Sequence, residues 1–220
     1  MTRFLGERGI GSEFVNGLRV TTPDVLDAVL KVFAGSVNQE LVAAFIRAGL
    51  SAVGLTGMDG LLTEARQLSP ELGLVGEPVR SDDRLLNALI ENRYLPVVAC
   101  VGGDRSGRFY NVNADQMAAS IAVAFKADTL IFLTDVDGVK NQAGHILEEV
   151  TPVAAKQLID ERIATGGMQA KLEAAAMALS GGVAEVVIAP GTTPDIVARI
   201  LSGERTGTRL APEIGIANNG

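Results

Sequence analysis

"LPVVACVGGDRSGRFYNVNADQMAASIAVAF", residues 95–125, decides the fold. It opens with an unbroken apolar run, Leu95 to Val101, of the kind that forms a parallel strand covered on both faces. A glycine-rich turn follows, then the polar segment "NVNAD", then a helix through about Phe125. Strand, turn and helix in this order make one unit of an α/β protein. Asn111, Asn113 and Asp115 stand at alternate positions where strand gives way to helix. In an extended segment they share one side, with Val112 and Ala114 turned into packing. A helix N-cap accounts for Asn113 or Asp115 without any ligand.

The same grammar continues upstream. "LLTEARQL" and "LGLVGEPVR" read as paired strands around a turn at Ser69-Pro70, and "SDDRLLNALIENRY" as a helix capped by Ser81 or Asp82. "SAVGLTG" is a short buried strand. Before it, Thr22-Pro23 starts a helix, Gly35 interrupts it, and Ser36 with Gln39 offers a capping box for a second helix ending at Gly49. "FVNGLRVTT" carries a hairpin signal at Asn16-Gly17. "TRFLGERGI" reads as the last turns of a helix stopped by Gly9.

Downstream, "TLIFLTDVDG" is a strand and turn, "TPVAAKQLIDERI" a helix, and "MQAKLEAAAMALSGG" a helix stopped by Gly181. "AEVVIAPG" is a buried strand, "TPDIVARILSG" a last helix, and "GTRLAPE" a final edge strand. The alternation means an α/β protein with a mainly parallel sheet.

Composition excludes several functions. The net charge is −7 and no Lys/Arg cluster offsets it, so nucleic acid is not an expected partner. Cys100 is the single cysteine, which allows no internal disulfide and suits a reducing compartment. No apolar run approaches bilayer length and no signal-peptide core is visible, so the expectation is a cytoplasmic protein with no membrane partner. There is no Gly-Lys dipeptide for a Walker loop and no G-x-G-x-x-G after a strand. His145 is the only histidine, which with one cysteine excludes most zinc sites and Cys-His nucleophiles. "DVDG" fails as a calcium loop, because Val139 and Lys140 stand where an acid and a glycine are needed.

What remains is polar residues at strand ends, where open α/β sheets bind ligands. Asp135 and Asp137 follow "TLIFL", although a tight Asp-Gly turn explains Asp137-Gly138 equally well. Gly166-Gly167 precede a helix with Lys171 in about its first turn, a candidate anion site or a plain glycine-rich loop with a solvated lysine. Arg19 follows the hairpin turn, where an arginine alone is most often a surface charge. Together these segments hold the groups that phosphoryl transfer without a P-loop needs: an arginine for a carboxylate, amides, an aspartate, and a lysine by a glycine-rich helix start.

In order and spacing, "FVNGLRVT", "AGSVNQELV", "GLTGMDG", "LGLVGEP", "YLPVVACVG", "YNVNAD", "LTDVDGV" and "GGMQAKLEAA" resemble the amino-acid kinase family, and within it the acetylglutamate kinase branch. The likeness runs over essentially the whole chain. It implies a carbamate kinase-like three-layer α/β/α sandwich, with an acetylglutamate-binding and dimerisation lobe over 1–127 and an ATP-binding lobe over 128–220. It implies ATP-dependent phosphorylation of the N-acetyl-L-glutamate side chain in arginine synthesis, Mg²⁺ carried by the nucleotide phosphates, and a homodimer.

By position, the resemblance assigns Arg19 to the substrate α-carboxylate. Asn111, with Asn113 beside it, falls to the substrate's α-carboxylate and acetamido end. Lys171 falls to the transferring phosphoryl group, and Asp115 to orienting Lys171 and a second lysine. Thr134, Asp135, Asp137, Gly138, Lys140, Ile163, Thr165, Gly167 and Met168 fall in segments that line the family's ATP site. The chain departs from the family at its start. "MTRFLGERGI" aligns after the family's Lys-Gly-Gly strand and His-Gly-Gly loop, so on the order of 50 residues are expected upstream. Two alternatives stay open: a weakly active or inactive ligand- or partner-binding form, and a kinase for another acceptor such as the aminoadipate analogue of lysine synthesis.

Overall fold

The computed structural model describes residues 1–15 and 17–212; Asn16 of the hairpin turn and Glu213 lie outside the described residues. The chain divides after Phe125 into two compact units.

In the first unit, helix α1 (Thr2–Gly6) is followed by Gly9, at φ +66°, in the left-handed conformation glycine adopts without strain. Strands β1 (Phe14–Val15) and β2 (Leu18–Arg19) pair antiparallel as the hairpin signal requires. Thr22 caps helix α2 (Pro23–Val29), its hydroxyl accepting the Val25 N–H at 3.3 Å. Leu5, Val25, Ala28, Val29 and Val101 form the core beneath.

Gly35 does not interrupt the next helix. The backbone widens into π geometry over Leu30–Val37 and runs on as α3 (Asn38–Arg47). A lone glycine lowers helix propensity by about 1 kcal/mol without clashing, and a long run can absorb that. Ser36 turns its hydroxyl back to the Lys31 carbonyl at 3.5 Å, so the capping box does not form. The resulting helical stretch, Pro23–Arg47, has 25 residues, and by length and composition it could cross a bilayer. That corrects the expectation that no apolar run has this reach. Yet its Val25, Ala28 and Val29 face this unit's own core, and Asp24, Asp27, Lys31, Glu40 and Arg47 interrupt it with charge.

The run Leu95–Val101 is not one strand. β6 (Leu95–Ala99) lies parallel to β3 (Ala52–Thr56), and the chain then breaks at Cys100. β7 (Val101–Gly103) joins β4 (Thr63–Gln67), β5 (Val75–Ser81) and β8 (Phe109–Val112) in a small closed barrel. Glycine makes this change of sheet feasible: a Cβ on Gly103 would sit 2.0 Å from Met58 Sδ, and one on Gly102 2.9 Å from Ala65 Cβ. α3 lies over β3 and β6. There the buried Asn38 donates its amide to the Val97 carbonyl at 2.8 Å. Helix α4 (Arg84–Glu91) starts after Asp83, with Asp82 accepting the Arg84 N–H at 3.0 Å. Helix α5 (Ala114–Phe125) closes the unit.

The second unit holds a four-stranded sheet in the order β10 (Glu149–Val150), β12 (Thr208–Leu210), β11 (Glu185–Pro190), β9 (Thr129–Thr134). β9 and β11 are parallel, with Thr129 opposite Glu185 and Thr134 opposite Pro190. β12 runs antiparallel to β11 and lies inside the sheet, not at its edge. Thr208 and Leu210 are fully buried there, which a three-residue strand achieves only with neighbours on both sides. Helices α6 (Pro152–Asp160, capped by Thr151), α7 (Gly166–Ser180) and α8 (Ile196–Leu201) complete the unit. Parallel pairing therefore occurs in three sheets: β3 with β6 and, in the barrel, β4 with β7 and β5 with β8 in the first unit, and β9 with β11 and β10 with β12 in the second.

Candidate active site

In the first unit, Arg19 lies half-buried along its hairpin. Its guanidinium donates to Ser12 Oγ and to Thr2 Oγ1 (3.1 Å) and stacks 4.4 Å over the Phe14 ring. Two residues on, Thr21 is fully buried. Its hydroxyl donates to the Arg19 carbonyl at 2.9 Å and accepts from Asn111 Nδ2 at 3.0 Å. Its backbone is fixed on both sides: Thr21 N–H donates to Leu72 O at 3.0 Å, and Leu74 N–H donates to Thr21 O at 2.7 Å. One hydroxyl thus joins the hairpin that carries Arg19 to the strand that carries Asn111.

The expected row of Asn111, Asn113 and Asp115 does not form. Only Asn111 lies on the strand. Asn113 Oδ1 accepts the N–H groups of Asp115 (3.0 Å) and Gln116 (3.1 Å), so it is the N-cap of α5. Asp115 sits in the first turn of that helix, and Ala114 is exposed instead of facing the core. Helix initiation ends the strand alternation at Val112. Burial pushes the Cys100 thiol pKa up, and the Asp115 carboxylate adds to the shift.

In the second unit a cleft of about 410 Å³ opens at the carboxyl end of β9. Thr134, Asp135 and Val136 form one wall, and Gly138, Val139 and Lys140 follow in the loop. The turn between α6 and α7 contributes Ile163, Ala164 and Thr165; the start of α7 contributes Gly167, Met168 and Lys171. The sequence reading named most of these residues. Asp137 is exposed and outside the lining. Lys171 is the sixth residue of α7, past the expected first turn, because the helix begins at Gly166. No acidic residue occupies the first turn of α7 and Thr165 makes no side-chain cap, so backbone N–H groups there can meet an anion.

Val136, Val139 and Ala164 lie inside the expected segments 135–140 and 163–165 without having been singled out, and sequence reasoning missed Thr208. A hydroxyl inside an apolar strand must find a partner, which was the available signal. Among the described residues no group of three or more His, Cys, Asp or Glu could hold a metal ion.

Residues 1–190 match the amino acid kinase family. The chain belongs to that family. It is 60% identical over 210 residues to the acetylglutamate kinase of Solibacter usitatus, covering 96% of this chain and 82% of that one. To the acetylglutamate kinase of Geobacillus sp. (strain WCH70) it is 40% identical over 215 residues, 97% and 82% of the two chains. Among solved structures, smu.665 from Streptococcus mutans matches with a TM-score of 0.84 at 30% identity, over 96% of this chain and 81% of that one. The N-acetylglutamate synthase of Neisseria gonorrhoeae, complexed with coenzyme A and N-acetyl-glutamate, gives 0.84 at 25% identity, over 96% and 49%. The two units are thus the α/β architecture of an amino-acid kinase.

Proposed function

We propose that the protein transfers the γ-phosphoryl group of ATP to the side-chain carboxylate of N-acetyl-L-glutamate, producing N-acetyl-L-glutamyl 5-phosphate for arginine biosynthesis. The observation that carries this reading is the cleft that joins the end of β9, the loop at Gly138–Lys140 and Lys171. Kinship with acetylglutamate kinases supports the acceptor. The first unit is assigned to acetylglutamate and dimerisation, the second to ATP. The protein acts in the cytoplasm as a homodimer.

The chemistry needs position and charge. A carboxylate oxygen of acetylglutamate attacks the γ-phosphorus, the bond to the bridging oxygen breaks, and its electron pair leaves on ADP. The acceptor is already ionised near neutral pH, since an ordinary glutamate pKa is about 4.3, so no general base is required. Lys171 offsets the charge that builds on the leaving oxygen. Asp115 is assigned to positioning, not to proton abstraction.

Arg19 binds the α-carboxylate. Its guanidinium has about five N–H donors, more than its bonds to Ser12 and Thr2 use. Asn111 presents its amide to the acetylated end, while Asn113 serves that end indirectly, by starting α5. The described residues contain no acid cluster that fits a resident ion. Mg²⁺ is therefore assigned to the nucleotide phosphates, where it neutralises charge when bound.

The test is acyl phosphate formation, trapped as hydroxamate, with ATP and Mg²⁺ and a panel of acceptors. Acetylglutamate should be turned over in preference to its aminoadipate analogue and aspartate. Absence of acyl phosphate with every carboxylate would overturn the reading.

A further inference from the structure

We propose that Thr208 is a positioning residue for the nucleotide: its buried hydroxyl clamps the two legs of the loop that brings Gly138 and Lys140 to the cleft. The proposal rests on the cleft's being the ATP site. Thr208 Oγ1 accepts the Val139 N–H at 2.8 Å and donates to the Leu147 carbonyl at 2.6 Å. Those two partners lie on opposite legs of one loop. The legs also bond directly, Leu147 N–H to Val139 O at 2.8 Å, with Lys140 and Ile146 bridged antiparallel beyond. Removing the hydroxyl therefore loosens the base of the loop at Val139, between the two cleft residues Gly138 and Lys140.

The surroundings show that the contact is close-fitted. Gly138 has φ +154°, and a Cβ there would sit 2.7 Å from Thr208 Oγ1. Gly207 has φ +78°, and a Cβ there would sit 2.2 Å from the Ile188 carbonyl. Gly138 thus abuts the hydroxyl and Gly207 abuts β11, each where a side chain would push the loop or β12 away. Thr208 itself has no exposed surface, so it acts through Val139 and its neighbours, not by touching nucleotide.

The experiment compares Thr208→Val and Thr208→Ser with the unchanged chain. Binding of a non-hydrolysable ATP analogue with Mg²⁺ and binding of acetylglutamate are measured separately by calorimetry. Thr208→Val keeps the shape and loses both hydrogen bonds; nucleotide binding should weaken about tenfold or more, with acetylglutamate binding within about twofold. Thr208→Ser keeps donor and acceptor and should restore nucleotide binding to within about twofold. A folded Thr208→Val variant with unchanged nucleotide affinity overturns the assignment. So does an equal loss for both ligands, which marks a general structural role. If Thr208→Val does not fold, Thr208→Ser and Thr208→Cys replace it, and equal nucleotide affinity in those two overturns the proposal. If the unchanged chain binds no nucleotide, the cleft reading itself fails, and that failure is distinguishable from the others.

Discussion

Replacing Thr21 with valine tests the first unit most directly. Valine keeps the volume of a fully buried side chain and removes one hydroxyl. That hydroxyl makes two bonds, donating to Arg19 O at 2.9 Å and accepting from Asn111 Nδ2 at 3.0 Å. A buried polar group left unpaired costs about 1–3 kcal/mol. Arg19 and Asn111 are only partly buried, so water recovers some of that loss. The net destabilisation should be about 1–3 kcal/mol, measured by urea unfolding. The functional effect should be selective. Asn111 loses the contact that fixes its amide, so acetylglutamate should bind about tenfold more weakly, or about 1.4 kcal/mol. Affinity for the ATP analogue should stay within about twofold, since this hydroxyl's partners, Arg19 O and Asn111 Nδ2, are not among the lining residues of the second unit's cleft. Thr21→Ser keeps both bonds and should bind acetylglutamate like the unchanged chain. Unaltered acetylglutamate affinity in Thr21→Val would refute the reasoning. An equal loss in both variants would show that the methyl group, not the hydroxyl, matters.

Four further outcomes are expected. Lys171→Ala should lower kcat by about 10²–10³ while changing the acetylglutamate KM little, the pattern of a group that acts on developing charge; a raised KM with intact kcat would count against it. Gly207→Ala should destabilise by about 2–5 kcal/mol, combining left-handed strain with the overlap on the Ile188 carbonyl; a loss below about 1 kcal/mol in urea unfolding would contradict the geometry. Asp104 accepts from Ser106, Arg108 and Tyr110, and these bonds hold its pKa down at about 2 against an ordinary 3.8. With its folded pKa depressed, its contribution to stability is present above about pH 4 and is lost as pH falls through about 2; Asp104→Asn should therefore flatten the acid limb of the stability curve in that window. Cys100, its thiol pKa raised chiefly by burial, should react with a thiol reagent at pH 8 far more slowly in the folded chain than in denaturant.

Local chemistry made much of the architecture legible in the sequence. Thr22-Pro23 and Thr151-Pro152 start helices because hydroxyl caps and a fixed proline φ act within one turn. Part of the lining of the second unit's cleft was legible for a similar reason: Asp135 follows a strand end and Gly167 opens a helix, whereas Thr134 and Lys140 rested on the family resemblance. What was not legible depends on contacts distant in the chain. The break at Cys100 follows from barrel closure around Gly102 and Gly103, which a run of apolar letters does not show. The interior place of β12 follows from β10, a two-residue strand too short to leave a pattern. Asn113 could be either cap or ligand residue by spacing, and the two N–H groups that its Oδ1 accepts show that it caps α5.

The polar interior follows one rule in both units. The buried polar residues among those described are Thr21, Asn38, Thr63 and Thr208, and each is hydrogen-bonded. Hydrophobic burial does not explain them, since valine or alanine would pack with no partner to find. Thr21 and Thr208 do the same job. Each bonds a strand to a loop or hairpin next to a candidate ligand residue, and each has a glycine pressed against it: Gly73, where a Cβ would lie 2.5 Å from Thr21 O, and Gly138 beside Thr208 Oγ1. A hydrogen bond specifies distance and direction, whereas apolar contact specifies only burial. A net gain of about 1 kcal/mol from such a bond adds little to stability. Its larger effect falls on ligand geometry, where a displacement of about 1 Å can cost 10²-fold in rate. The Val and Ser variants at the two threonines therefore ask one question of both units. If the valine variants lose stability and keep both affinities, the buried hydroxyls serve folding alone.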